Sequence, residues 1–411
     1  MAGLACAVGL AGAGVGVVLH EAAGHAGGRC RSFHDKTLDR LVDNGNHLLL
    51  GANDAVFTYL AQVGASGGLI AQDRAVFPFV DLKSGERWTF RPGGSAIPWW
   101  IFSRGRRVPN THWSDYLPMF RLRRAKAEDT VADCLGTDSP LYARLWKPLC
   151  DAVLNADPRE GAAQLLWPVI RATFGESEAA CRAYVARDGL SPNLVDPGVA
   201  FIERHGGEIR FNERLRALEP AGDRVRALDL STGRIELKPS DAVVLALPHT
   251  GVAELLPELI LPKGTRAIVN AHFRLDQPAT LPEGAPFLGL VGGTAQWLFV
   301  RGDVVSVTVS AADALAEEEN EAIAARLWAD VAKALALDGS SLPPCRIVKE
   351  KRATFAQNPE NAPRRLGARI GFANLFLAGD WTDTGLPATI ESAVVSGRRA
   401  AACALELLGK S

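Results

Sequence analysis

The residues that could do chemistry sit at the two ends of the chain. Near the start, the apolar run Val15-Gly16-Val17-Val18-Leu19 is followed by His20 and Glu21, then by Gly27, Gly28, Arg29 and Arg31. A carboxylate that closes a parallel strand can accept hydrogen bonds from both hydroxyls of an adenosine ribose. Paired glycines let backbone approach a pyrophosphate, and arginine meets phosphate oxygens with forked donors. Each feature alone is ordinary, since acids close many strands and surface arginines follow many glycine loops. Their order is more telling, because Glu21 follows Gly3 at close to the roughly 20 residues expected in a dinucleotide-binding βαβ unit.

At the other end, Asn374-Leu375-Phe376-Leu377-Ala378-Gly379-Asp380 reads as a buried strand ending in Gly-Asp. A helix is expected over 388–408, with Ile390, Ala393, Val394, Gly397, Ala401 and Leu405 on its apolar face. Asp380 is placed to bond the ribitol hydroxyls of a flavin chain. The helix start at Thr389, Ile390 and Glu391 would aim free N–H groups and a positive dipole end at the anionic edge of a reduced flavin ring. An ordinary capped helix after a buried strand would show the same residues. Two half-sites at opposite ends of one chain argue for a shared ligand. Leu215, in a hairpin strand expected over 214–218, is counted among its contacts.

The elements that must position these groups can be read from the pattern. Residues 1–19 are apolar and uncharged, but they lack a basic leader and carry Gly3, Gly9, Gly12, Gly14 and Gly16. They are therefore read as a buried helix (3–10), a turn and a strand (15–19), not as a targeting segment. Further elements expected are a helix over 195–205, strands over 208–211, 225–230 and 242–247, and helices over 141–155 and 317–337. Six of the nine tryptophans fall between 77 and 187, which reads as an inserted, mostly helical substrate region. The predicted fold class is α/β: a Rossmann-like domain (1–76, 188–250 and 346–411), its first strand apparently missing, with an interleaved α+β substrate-binding domain (77–187 and 251–345).

Composition narrows the function. At 411 residues, two interlocked domains are expected. A net charge of −1 offers no global field for nucleic acid. Seven scattered cysteines without a Cys-x-x-Cys pair read as reduced thiols of a cytoplasmic protein, with no metal site.

The stretch from Glu21 to Arg31 and the segment from Gly379 to Glu391 resemble the two FAD signatures of the flavin amine-oxidase and phytoene-desaturase superfamily. Three further pieces, 43–51 (Asp43-Asn44-Gly45-Asn46-His47-Leu48-Leu49-Leu50-Gly51), 352–355 and 378–391, resemble the hydroxysqualene dehydroxylases, squalene-associated FAD enzymes of hopanoid synthesis. The resemblance implies noncovalent FAD, since 379–391 holds no cysteine. It also implies a hydrophobic isoprenoid substrate and hydride transfer from reduced flavin to an allylic carbon. His47 and Asp383 are the candidate proton donors. The family opens with a strand and Gly-x-Gly-x-x-Gly, of which Gly3 matches the third glycine, so a start upstream of Met1 is expected.

The segment 97–107 joins Trp99, Trp100 and Phe102 to Arg104, Arg106 and Arg107. It is read as a tunnel wall with a basic turn or, alternatively, as a peripheral contact on the inner membrane face. The rival functions are a carotenoid-type desaturase, running the flavin in the oxidising direction, and a non-catalytic isoprenoid-binding protein.

Overall fold

The N-terminal run is apolar on every side, and a helix of that kind is stable only when surrounded. In the computed structural model, which describes residues 1–93 and 98–410, it forms the helix Ala2–Gly12, with Ala2, Leu4, Ala5, Cys6, Ala7, Val8 and Ala11 buried. Small residues let it lie close against the C-terminal helix Ile390–Leu407. A Cβ at Gly397 would stand 2.2 Å from the Ala2 carbonyl oxygen, and one at Gly9 would stand 3.3 Å from the Ala401 Cβ.

Gly14, at φ 69°, ends the first helix in a left-handed turn. The next strand is Val18–Glu21, later than the expected 15–19, because its parallel pairing with Glu208–Phe211 begins at Val18↔Glu208. Glu21 is thus its last residue. A second parallel pair joins Val243–Leu245 to Leu375–Leu377. The strands Leu215–Ala221, Arg224–Leu230 and Gly233–Glu236 form an antiparallel sheet. These short strands and their helices make the expected α/β part.

The largest sheet has seven strands, in the order Cys345–Phe355, Thr265–Arg274, Val304–Val309, Trp297–Arg301, Phe287–Val291, Phe77–Asp81 and Arg87–Phe90. It corrects the expected boundary at 346, because Cys345–Phe355 pairs along Thr265–Arg274 inside this sheet. Period-two alternation splits its central strands by chemistry. Val269, Ala271, Phe273, Val305 and Val307 pack in one cluster with Ile323, Leu327, Trp328 and Val331 of the helix Asn320–Leu335. Asn270, His272, Ser306 and Thr308 alternate with them and are buried. From Val131 to Ala172 the chain is mainly helical. The expected helix over 141–155 opens with a π turn, Tyr142–Trp146, before Lys147–Leu154. All seven cysteines are unbonded. No helix among the described residues is long and apolar enough to cross a membrane.

The glycine contact between the terminal helices makes a direct prediction. Gly397→Ala should destabilise the protein by about 1–3 kcal/mol through overpacking, read as a lower midpoint in chemical denaturation. An unchanged midpoint would show that the helices can separate at no cost.

Candidate functional site

One cavity of about 1800 Å³ runs between the two parts of the molecule. Single small-ligand sites occupy about 300–1000 Å³, so this one has room for two ligands end to end. Gly3, Glu21, Gly27, Gly28, Arg29, Leu215, Gly379, Asp380, Thr389, Ile390 and Glu391 all line it. Residues expected from both ends of the chain therefore meet on one surface.

At one end, the strand pairing with Glu208–Phe211 holds Glu21 at the rim. Its Oε1 accepts the Ala23 N–H at 2.8 Å, while neighbouring His20 is engaged with Glu213 at 2.6 Å. Glu21 Oε2 has no partner among the described residues and remains available as an acceptor. Leu215 lies nearby on the antiparallel sheet. Gly3 packs where a Cβ would stand 3.0 Å from that of Ala246.

In the middle, two helix N-termini open onto the cavity. Met1, Ala2 and Leu4 line it at the start of the first helix, and Thr389 caps the last, its Oγ1 accepting the Ser392 N–H at 3.2 Å. Free first-turn N–H groups and the positive dipole ends suit an anion here. Gly27 (φ 96°) and Gly28 (φ 59°) turn the loop that delivers Arg29, and a Cβ at Gly27 would collide with the Cys30 carbonyl. Arg29 donates to Asp380 Oδ1 at 2.7 Å and to the Ala353 carbonyl. Asp380, adjacent, holds the Arg29 guanidinium firmly in its charged form.

The structure reassigns several expected roles. Asp380 spends one oxygen on Arg29, and the other has no hydrogen-bond partner among the described residues. Glu391 lines the cavity, but its two oxygens accept the Ala55 and Val56 N–H groups, both at 2.9 Å, capping the helix Asp54–Gln62. Arg31 does not line the cavity and lies 5.4 Å from the Phe33 ring centre. Asp383 is exposed and accepts the Gly385 N–H at 3.2 Å, so it is not brought to the site. A loop residue at the tip of a surface turn keeps its carboxylate in water, which removes it as a proton donor to a buried substrate.

His47 does line the cavity. Burial pushes its pKa down to about 4, with Arg29 adding in the same direction and Asp43 opposing. The imidazole is neutral near pH 7, so it serves as a hydrogen-bonding group and not as a store of imidazolium. Beside it runs a polar strip that the sequence reading missed. Asn46 Nδ2 donates to Thr308 Oγ1 at 3.0 Å, Thr308 donates to Asn270 Oδ1 at 2.8 Å, and Asn270 donates to the Asn44 carbonyl at 3.2 Å. All four line the cavity. The available signal was the polar residue repeating at every second position in Val269–Phe273 and Val305–Val309. The far end is apolar, walled by Phe77, Phe90, Leu145, Phe174, Trp297 and Phe299.

The features present fit a flavin dinucleotide: an acid for ribose, helix ends for pyrophosphate and ring, and an apolar chamber beyond. Comparison with known proteins agrees. The family model described as flavin containing amine oxidoreductase matches residues 1–405. The chain is 46% identical to hydroxysqualene dehydroxylase of Rhodopseudomonas palustris, over 98% of this chain and 95% of the relative. It is 24% identical to the 15-cis-phytoene desaturase of an Oncidium hybrid cultivar, over 97% of this chain and 75% of that protein. Among solved structures, cyclohexylamine oxidase from Brevibacterium oxydans shares the fold, with TM-score 0.73 at 14% identity, covering 99% of this chain and 97% of that one.

This geometry has two measurable outcomes. Glu21→Ala should weaken FAD binding about tenfold to hundredfold, the loss of hydrogen bonds to a charged acceptor, measured by flavin fluorescence titration; unchanged affinity would remove Glu21 from the site. His47 and His272 both have pKa values depressed to about 4 by burial. The folded state thus binds fewer protons than the unfolded chain, whose histidines titrate near 6.5. Their contribution to stability is complete above about pH 6.5 and is lost as pH falls toward 4. Denaturation midpoints measured across that range should fall with acid, and less steeply in His272→Asn.

Proposed function

The chain belongs to the flavin-containing amine oxidoreductase family and, within it, to the hydroxysqualene dehydroxylases, and on that premise we propose that it converts hydroxysqualene to squalene. It is an FAD-dependent oxidoreductase. The observation that carries the substrate reading is the continuity of the cavity, from a nucleotide-type end at Glu21 to an aromatic apolar end at Phe90 and Phe174.

Glu21 would hold the adenosine ribose, the first-turn N–H groups of the two terminal helices the pyrophosphate and ring edge, and Asp380 the sugar-alcohol chain. The cofactor is proposed to be held without a covalent link. When bound and reduced, FAD supplies the hydride that replaces the allylic hydroxyl. A proton completes the departing water, so one hydride and one proton are consumed for each C–O bond broken. The protein's own residues do the rest. The apolar walls take up the hydrocarbon and exclude water, which strengthens every polar contact inside. His47 and the Asn46–Thr308–Asn270 strip are the polar groups we assign to the hydroxyl. Neutral His47 donates its N–H toward the leaving oxygen, and the proton itself comes from solvent or an ordered water.

A substrate with almost no polar surface is met at a membrane, so the reading includes a peripheral membrane contact. An anaerobic assay with chemically reduced holoenzyme tests the reaction: squalene should appear from hydroxysqualene, one equivalent per flavin reoxidised. Conjugated polyene from phytoene with oxidised flavin, and no squalene, would instead establish a desaturase.

A further inference from the structure

The apolar end of the cavity is backed by aromatic rings whose outermost members face water. Phe90 and Phe174 line the cavity, and buried Trp100 packs against them at 5.2 and 5.9 Å between ring centres. Outside Trp100, Trp99 is 64% exposed and Phe102 is 53% exposed. The Trp99, Phe102 and Trp113 rings succeed one another at 6.0 and 5.5 Å. The 3₁₀ helix Trp113–Arg124 extends the patch. Its three-residue period buries Tyr116, Met119 and Leu122 and turns Leu117, Phe120 and Arg123 outward. Ile97, at the head of the segment expected to meet a membrane, lies outside the described residues.

Cations outnumber acids around these rings, with Glu128 and Asp129 just beyond the patch. Arg104, Arg106, Arg121, Arg123, Arg124 and Lys126 are exposed, whereas Asp115 is the lone acid from 98 to 126 and already accepts the His112 N–H at 2.7 Å. Nearby Arg91 and Arg144 are paired, with Glu283 and Glu86. None of the six exposed cations has a carboxylate partner among the described residues. In a protein of net charge −1, this is a local concentration of unneutralised cation around exposed aromatic rings.

We propose that residues 98–126 dock the protein on an anionic bilayer surface. The rings of Trp99, Phe102, Trp113 and Phe120 enter the interface, and the arginines and Lys126 meet lipid phosphates. A second copy of the chain fits poorly, because self-pairing through this patch would set like charges against each other. Docked in this way, the protein has Trp100 as the partition between the apolar layer of the membrane and the apolar end of the cavity. That last consequence rests on the isoprenoid reading; the docking does not.

Co-sedimentation of the holoenzyme with vesicles tests it. Binding to vesicles containing phosphatidylglycerol should exceed binding to pure phosphatidylcholine at least about tenfold, and should largely vanish near 1 M salt. Trp99→Ser combined with Phe102→Ser, and separately Arg121→Gln combined with Arg123→Gln and Arg124→Gln, should each reduce binding about tenfold or more. Both variants should keep wild-type flavin content and turnover of detergent-dispersed substrate. Equal binding by variants and wild type, no vesicle binding at all, or a dimer that the same substitutions dissolve would each overturn the proposal. Absence of squalene in the detergent assay with wild-type protein would count against the reaction and leave the docking result standing.

Discussion

The contact between the first and last helices governs the site. Gly397 leaves room for the Ala2 carbonyl, and Gly9 sits against Ala401. The two helices thus lie side by side, and the first turn of each lines the same cavity. Two partial positive ends facing one cavity suit an anion through backbone groups, while Arg29 is already committed to Asp380. The Arg29 clamp adds a third tie, since it also reaches the Ala353 carbonyl on the long edge strand of the seven-stranded sheet. Arg29 is thus one of several side chains that tie the N-terminal segment to that sheet, with Arg40–Asp303 and Arg301–Asp43.

That sheet performs two tasks on two faces. Its valines and Phe273 pack on the helix Asn320–Leu335, which anchors the layer. Its other face supplies Asn270 and Thr308 to the cavity. Hydrogen bonds between them, and to Asn44 and Asn46, satisfy these buried groups before any substrate arrives. An amide and hydroxyl network of this kind presents oriented dipoles without net charge, which suits a neutral alcohol in an otherwise apolar chamber. His47 obeys the same logic: burial keeps it neutral.

Much of this was readable in the residues. The strand end at Glu21 and the left-handed turn at Gly27 and Gly28 were legible because sequence records local backbone geometry directly. The terminal helix was placed within two residues for the same reason. What was misjudged depended on contacts made at long range. Glu391 caps a helix that lies far away in sequence, so its carboxylate looked free. Asp383 shares a motif with cavity residues but sits on the outer side of a turn, a distinction that spacing does not carry. Asn270 and Thr308 were passed over because polar residues alternating in an apolar strand read as an ordinary solvent face, and only the pairing of the strands aligns them inside the cavity. Residues 346–355 were placed with the cofactor region, although they continue a strand of the seven-stranded sheet, because strand propensity says nothing of which sheet a strand will join.

The arrangement of the cavity also bears on how the protein is made. The nucleotide end draws on residues 1–50, on a middle stretch that includes Leu215 and Ala246, and on residues beyond 375. On the ribosome the helix Ala2–Gly12, apolar all round, emerges long before its partner Ile390–Leu407. Until then that segment can pack only on earlier partners such as Val56, Leu60, Phe201 and Ile202, and collapsed intermediates with apolar surface still exposed are prone to aggregate. The packing of the first helix is therefore completed only once Ile390–Leu407 has left the ribosome.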